Sequence, residues 1–289
     1  MSRRAATGDN SAGNNAGNGE SEFASEFATD TGSIYYEILG TDTFDPETPD
    51  AAANAPAKPW ITLLHNFMST GRTAWGTIAA KLTDDYRVLL PDLPGHGRSV
   101  GHPADFAYRA IACQLADLMA HVGAGQGHLA GVSAGGMLAQ WLVHEGWASP
   151  ASLMLVSTTH SMNPATAGAP VTTDPDRFRF GKNWLDATAA LHDKYQGDGY
   201  FRREILPATG DRAPELTLDL PLDALANWSM PVCIIHGAED EFFPVAIARK
   251  MAAHLPAARL HVIPDQSHAL IFRQSWKVAD LLREFLAES

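Results

Sequence analysis

The stretch HLAGVSAGG, residues 128–136, decides the fold of this 289-residue chain. Its first five residues form an apolar run typical of a strand buried in a parallel sheet, and residues 134–145 have the spacing of a helix. Ser133 therefore lies on the turn from a strand into a helix. Such a turn is too tight for side chains beside the serine, which explains glycine at positions 131 and 135.

The same turn gives Ser133 the character of a nucleophile. A strained backbone at this position points Oγ out of the sheet. The N-terminal N–H groups of the following helix favour negative charge that develops at the same point. The alternative is a serine that caps a helix within a glycine-rich turn. A serine hydroxyl attacks well only when a base removes its proton, so the nucleophile hypothesis requires a base further along the chain.

Candidates for that base and for its carboxylate follow Ser133 in the chain order serine, acid, histidine. Asp240 comes a few residues after a strand predicted at 231–235, which places it at the carboxyl edge of the sheet. Glu239 and Glu241 are rivals for the acid, and Asp240 could also cap the next helix. His268, alone among twelve histidines, lies in the loop after the last predicted strand.

Two backbone N–H groups are expected to stabilise the oxyanion of a tetrahedral intermediate. The residue after the nucleophile, Ala134, supplies the first. The second comes from the loop 65–70 after the predicted strand Trp60–Leu64. Phe67 is the predicted donor in that loop.

Beyond the serine turn, short apolar runs alternate with segments of helical period, which predicts a mostly parallel α/β sheet covered by helices on both faces. The predicted strands are 33–39, 60–64, 86–90, 128–132, 151–157, 231–235 and 259–263. The predicted helices are 73–82, 105–121, 134–145, 244–255 and 267–286. The alternation is absent from 158–229, which we interpret as an insertion over the carboxyl edge of the sheet.

Residues 1–31 are predicted to be a disordered tail, because Gly, Asn, Ala and Ser dominate them. The tandem SEFA-SEFA at 21–28 is either a short amphipathic turn or a cloning scar. Arg3 and Arg4 precede no apolar segment of the kind found in secretory signals. A cytoplasmic location is therefore expected.

The chain resembles the α/β-hydrolase superfamily over residues 32–289. The motifs that carry the resemblance are the His65 loop, Asp92-Leu-Pro-Gly-His-Gly-Arg-Ser99, the Ser133 turn, Gly237-x-x-Asp240-x-x-x-Pro244 and His268. The resemblance implies a catalytic triad of Ser133, Asp240 and His268. It also implies an eight-stranded core at 32–157 and 230–289 with a helical cap at 158–229.

Within the superfamily, the segment 135–142 and Asn66 are similar to the 3-oxoadipate enol-lactonase branch. The expected activity is hydrolysis of a small-molecule carboxylic ester or lactone through an acyl-enzyme. Alternatives are a C–C bond hydrolase, an acyltransferase or a cofactor-free perhydrolase on the same triad, or an idle fold that only binds ligands. Arg177, Arg179, Arg202 and Arg203 in the insertion could pair with a substrate carboxylate.

Charge and motif content exclude several other classes. Lys+Arg number 21 against 33 Asp+Glu, giving a net charge of −12, which argues against nucleic acid and anionic membranes. The cysteines, Cys113 and Cys233, form no CxxC pair. A G-x-G-x-x-A motif at 125–130 precedes its strand instead of following it, and the H-E-x-x-H pattern begun at His144 fails at Ala148. No cofactor or metal is predicted, and the oligomeric state is left open.

Overall fold

The computed structural model describes residues 22–41, 58–172, 182–210 and 216–289. Its centre is an eight-stranded sheet in the order β1-β2-β4-β3-β5-β6-β7-β8. β2 pairs antiparallel with β1 and β4, and the other neighbours are parallel. The strands are β1 (Glu22–Ala28), β2 (Ser33–Leu39), β3 (Trp60–Leu64), β4 (Arg87–Pro91), β5 (His128–Val132), β6 (Leu153–Val156), β7 (Val232–Gly237) and β8 (Ala258–Ile263). The predicted fold class is confirmed.

Helices cover both faces of this sheet. Between β3 and β6 lie α1 (Gly71–Ala79), α2 (Tyr108–His121) and α3 (Ala134–His144), and after β7 come α8 (Val245–His254), α9 (Leu270–Arg273) and α10 (Ser275–Leu286). α2, α3 and α8 pack into one apolar core, which includes Leu115, Leu138 and Ile247. α1 and α10 pack into a second core around Trp75 and Leu282 on the opposite face. The central strands β3 and β5 are buried along their whole length, as their continuous apolar runs predict.

The segment between β6 and β7 is helical where the structure describes it. It contains α4 (Pro164–Ala167), α5 (Lys182–Gln196), a π-helical segment (Phe201–Ile205), α6 (Leu206–Ala208) and α7 (Leu222–Leu225). Its N-terminal part joins residues near its end through an isolated bridge between Ser161 and Asp219. This segment supplies the helical insertion of the predicted fold class.

The prediction of a tail over residues 1–31 is wrong at Glu22–Ala28. The tandem SEFA repeat is strand β1, and Phe23 and Phe27 are opposite Ile38 and Ile34 of β2. A spacing of four residues puts both phenylalanines on one face of a strand. The Phe23 ring lies 6.2 Å from Tyr36 and the Phe27 ring 5.1 Å from His121. Pairing with β2 thus gives the repeat its conformation; residues 1–21 lie outside the described part of the chain.

Three predicted helices have clearly different limits in the structure. The helix predicted at 73–82 spans Gly71–Ala79. The helix predicted from 105 begins at Tyr108, because Phe106 has a positive φ of 45° and its buried ring packs against His96. The last predicted helix is two helices, α9 and α10, which meet at Gln274 with φ −131°.

Candidate active site

Ser133 occupies the turn between β5 and α3 with φ 52° and ψ −117°. A positive φ is uncommon outside glycine and is retained only where the surroundings impose it. Here the Ser133 N–H donates to the carbonyl of Val156 at 2.9 Å. A Cβ on Gly131 would lie 2.3 Å from the Gly135 oxygen, and one on Gly135 would lie 2.2 Å from the Leu64 oxygen. Close approach of the backbones therefore requires glycine at both positions, as the sequence predicts.

The structure brings Ser133, His268 and Asp240 into one chain of contacts. His268 Nε2 lies 3.0 Å from Ser133 Oγ. His268 Nδ1 lies 2.9 Å from Oδ2 and 3.1 Å from Oδ1 of Asp240. Because an ionised carboxylate can only accept, Nδ1 carries the ring hydrogen. Nε2 is then free to accept the hydroxyl proton of Ser133.

The register of β7 separates Asp240 from its two rivals. Asp240 is buried, and its Oδ1 accepts the N–H groups of Phe242 and Phe243 at 2.9 Å each. Glu239 is exposed to solvent. Glu241 Oε2 accepts the backbone N–H of His268 at 2.9 Å, so it holds the main chain of the histidine and not its ring.

The electrostatics of the pair favour the charged forms of both groups. Burial alone would lower the pKa of His268, but attraction to Asp240, their hydrogen bond and the charge of Glu241 together raise that pKa above its usual value. Burial would raise the pKa of Asp240, but the charge and hydrogen bond of His268 lower it below its usual value. Asp240 therefore stays ionised and stabilises a proton on His268.

His236, for which the sequence predicts no role, lies next to Asp240. It is buried at the end of β7, its Nε2 donates to the Phe243 carbonyl at 2.7 Å, and the same atom lies 3.4 Å from Asp240 Oδ2. Burial lowers the pKa of His236, so this ring is neutral. The spacing of four residues from Asp240, on the strand that leads into its loop, is the signal that could have identified it.

The two predicted oxyanion donors, Phe67 and Ala134, line the same cavity as Ser133. Polar contacts shape the loop that holds Phe67. Asn66 Oδ1 accepts the N–H of Met68 at 2.8 Å. The buried ring of His65 contacts the Asn66 carbonyl through Nδ1 at 2.6 Å and accepts the Leu93 N–H on Nε2 at 2.7 Å. Burial lowers the pKa of His65 to about 3, which keeps the ring neutral.

The motif that begins at Asp92 packs against the loop that holds Phe67. The Asp92 carboxylate accepts N–H groups from Gly71 at 2.9 Å and Arg98 at 3.0 Å, which ties the start of α1 to the motif. Burial raises the pKa of Asp92 to about 6 despite those two hydrogen bonds. The next residues of the motif place the His96 ring edge-on against Phe67 at 4.6 Å. The motif is therefore connected to the candidate site through packing.

A cavity of about 840 Å³, counted together with its opening to solvent, lies in front of Ser133. Its walls come from the loop after β3, the start of α3, the loop after β7 and the last loop of the sheet. Residues of the insertion complete it: Met162, Thr172, Trp184, Ala208, Thr209, Gly210 and Thr217. Since a pocket of this kind is large enough for a small organic molecule, the arrangement can act on such a substrate.

Within the described residues, no three His, Cys, Asp or Glu side chains come together as metal ligands. Of the arginines proposed as carboxylate partners, Arg202 pairs with Asp186 at 2.6 Å and Arg203 with Glu204 at 2.8 Å. Arg177 and Arg179 lie outside the described residues. In the described part of the chain, no helix is long and apolar enough to cross a membrane.

Comparisons with known proteins agree with this architecture. A model of the alpha/beta hydrolase family matches residues 63–279. The 2-succinyl-6-hydroxy-2,4-cyclohexadiene-1-carboxylate synthase of Yersinia pestis is 38% identical over 91 residues, which are 32% of this chain and 32% of that protein. The matched part thus spans about a third of that curated relative.

Two solved structures share the fold over nearly the whole chain. A hydrolase from Pseudomonas aeruginosa superposes with a TM-score of 0.68 at 22% identity, covering 94% of this chain and 99% of that one. The enol-lactonase from Burkholderia xenovorans gives a TM-score of 0.68 at 19% identity, covering 91% and 100%. At these identities the likeness concerns the fold.

Proposed function

The chain belongs to the alpha/beta hydrolase family, and we propose that it is a serine hydrolase that cleaves carboxylic esters or lactones through an acyl-enzyme. The observation that carries the proposal is the contact chain from Ser133 Oγ through His268 to the buried Asp240. A hydroxyl, a base and an orienting carboxylate in this order are the parts that nucleophilic acyl transfer requires.

In the proposed first half-reaction, Ser133 Oγ bonds to the carbonyl carbon while its proton passes to His268 Nε2. Asp240 keeps the imidazole oriented through Nδ1 and stabilises the imidazolium that forms. The raised pKa of His268 supports this role, because it makes the ring a stronger base. His268 then gives the proton to the leaving oxygen, and the bond between that oxygen and the carbonyl carbon breaks.

The negative charge on the carbonyl oxygen is assigned to the backbone N–H groups of Phe67 and Ala134. Ala134 is the first residue of α3, whose amino end favours negative charge. Phe67 lines the same cavity and packs against His96, and the bond from Met68 N–H to Asn66 Oδ1 holds its loop. Donors fixed in advance stabilise the intermediate without reorganising during the reaction.

Deacylation repeats these steps with water. His268 takes a proton from the water as its oxygen bonds to the acyl carbon, and the same proton returns to Ser133 Oγ as the ester bond to the serine breaks. The carboxylic acid product is released, and the free enzyme is regenerated. The proposed reaction requires no cofactor, because groups of the chain and water carry out every step.

We assign the domain roles in the same way. The proposed core comprises 32–157 and 230–289, now extended by β1, and the proposed cap comprises 158–229. Support for a cap comes from Met162, Trp184 and Thr217, which form part of the cavity wall. We also propose a reducing, cytoplasmic location, in which Cys113 and Cys233 would remain free thiols.

The test is replacement of Ser133 by alanine with a panel of p-nitrophenyl esters and lactones. The variant should lose at least about 10⁴-fold in kcat, because the nucleophile is absent. A fluorophosphonate should label the wild-type protein at Ser133 and leave Ser133→Ala unlabelled. Ser149→Ala, which changes an exposed serine, is the matched control and should keep full activity and labelling. Activity of Ser133→Ala within tenfold of wild type would refute the proposal.

A further inference from the structure

The cavity wall next to His268 is aromatic. The rings of Phe242 and Phe243 lie 4.9 Å and 5.1 Å from the imidazole, both edge-on. Phe272 lines the cavity on the same side. The leaving oxygen must come within hydrogen-bond reach of His268 Nε2. The alcohol part of a substrate therefore contacts these rings.

The remaining walls are also mainly apolar. Phe67 stacks on Tyr108 with ring centroids 5.3 Å apart. Met137 from α3, together with Met162 and Trp184 from the insertion, completes this side of the cavity. Methionine and aromatic side chains offer large, polarisable contact surfaces for apolar groups.

Three polar groups of the wall make hydrogen bonds within the protein. Thr209 Oγ1 donates to the Leu206 carbonyl at 2.7 Å. The Thr217 carbonyl accepts the indole N–H of Trp141 at 2.7 Å. Asn66 Oδ1 accepts the Met68 N–H. All three groups are uncharged; the Thr209 hydroxyl already donates within the protein, and the other two atoms are acceptors, which cannot bind a carboxylate.

The arginines of the insertion that the structure describes have partners elsewhere. Arg202 and Arg203 pair with acidic residues of the insertion itself, Asp186 and Glu204. Neither arginine lines the cavity. Because no Lys or Arg among the described residues lines the cavity, a carboxylate bound against the apolar wall would lose its hydration without gaining an ion-pair partner there, which costs free energy.

Resting on the proposed function, we propose that the substrate class is a neutral ester with an apolar acyl chain, and that the site rejects an acyl chain that ends in a carboxylate. The net charge of −12 acts in the same direction, because it repels anions at long range.

The test compares p-nitrophenyl hexanoate with mono-p-nitrophenyl adipate. The two esters share the leaving group and four methylenes, and differ by a terminal methyl against a carboxylate. After spontaneous hydrolysis is subtracted, kcat/KM should favour the hexanoate by at least about 100-fold, because the buried carboxylate has no partner. A ratio within fivefold of one, or a preference for the adipate, would overturn the inference and leave the proposed hydrolase activity standing.

A pair of charge-adding variants locates the source of the discrimination. Met162→Lys places a cation on the cavity wall and should lower the hexanoate-to-adipate ratio at least about tenfold through attraction to the carboxylate. Met230→Lys is the matched control, since Met230 precedes the amino end of β7, away from the cavity. An equal change in both variants would contradict a role for the wall.

The remaining outcomes distinguish a wrong substrate class from a wrong proposed function. If fluorophosphonate labels Ser133 but neither ester is hydrolysed, the substrate class is wrong and the nucleophile assignment stands. If neither ester is hydrolysed and Ser133 is also unlabelled, the proposed function fails and the substrate class fails with it.

Discussion

The sheet core and the insertion between β6 and β7 contribute to the candidate site in different ways. The core supplies Ser133, Asp240 and His268, and it fixes them by strand ends and by backbone packing as close as that of Gly135. The described part of the insertion supplies wall residues, such as Met162 and Trp184. Under the proposed function, the core supplies the reacting groups and part of the cavity wall, and the insertion contributes to the choice of substrate. Changes in the core should therefore affect rate or folding, and changes in the insertion should affect selectivity.

The largest expected effect is on the proposed base. His268→Ala should lower kcat/KM about 10⁴-fold, because no group then accepts the serine proton. Steady-state kinetics on one ester, with circular dichroism to check folding, measures this. His254→Ala is the control, since His254 on α8 contacts the Lys250 carbonyl and does not line the cavity. Comparable losses in both variants would contradict the assignment.

The second-largest effect is expected for Asp240, whose replacement also changes the pH dependence of kcat/KM. In the proposed mechanism the neutral form of His268 is the base, so kcat/KM should fall as the pH decreases through a pKa that Asp240 raises above the usual value. Asp240→Asn should lower the plateau roughly 10³-fold and move this acidic limb to lower pH. A pH profile of kcat/KM for both proteins tests the sign. A limb that moves to higher pH would show that Asp240 does not stabilise the imidazolium.

The third effect concerns folding of the core. Gly135→Ala should lower the free energy of unfolding by at least about 3 kcal/mol, because its Cβ would meet the Leu64 carbonyl oxygen. Gly125→Ala is the matched control, since a Cβ there has no atom within 4 Å. Urea denaturation of both variants measures the difference. Equal stabilities would show that the close approach at the turn is not required.

The smallest effect belongs to the insertion. Trp184→Ala should raise KM for long-chain esters about tenfold, because it removes apolar contact from the cavity wall, and the effect should grow with acyl length. Trp276→Ala removes an indole that is 63% exposed and outside the cavity, so it serves as the control. Kinetics on esters of increasing length separate the two. A uniform fall in kcat with Trp184→Ala would assign the insertion a role in the reaction.

Local steric requirements made the core predictable. The two glycines around Ser133 are needed wherever a strand turns this sharply into a helix, so the sequence pattern alone located the turn. The acid was less certain, because Glu239, Asp240 and Glu241 are consecutive and all lie at the edge of the sheet. Only the exact end of β7 determines which carboxylate faces His268.

The structures of the insertion and of β1 were harder to predict from the sequence, for physical reasons. Phe23 and Phe27 are spaced by four residues, which fits one face of a helix as well as of a strand, and pairing with β2 decides between them. Arg202 had no sequence signal for its partner, because its ion pair with Asp186 depends on how α5 and the π-helical segment meet. Arg203 pairs with its sequence neighbour Glu204 within that segment.

Strand β1 also has a consequence for association between molecules. It covers the backbone N–H and C=O groups along one side of β2, which would otherwise be open to pairing with another chain. On β1 itself, Glu26 adds an exposed charge to the outermost strand. A charge on the edge strand opposes its pairing with an edge strand of another molecule. The first strand therefore protects the molecule against aggregation as well as completing its sheet.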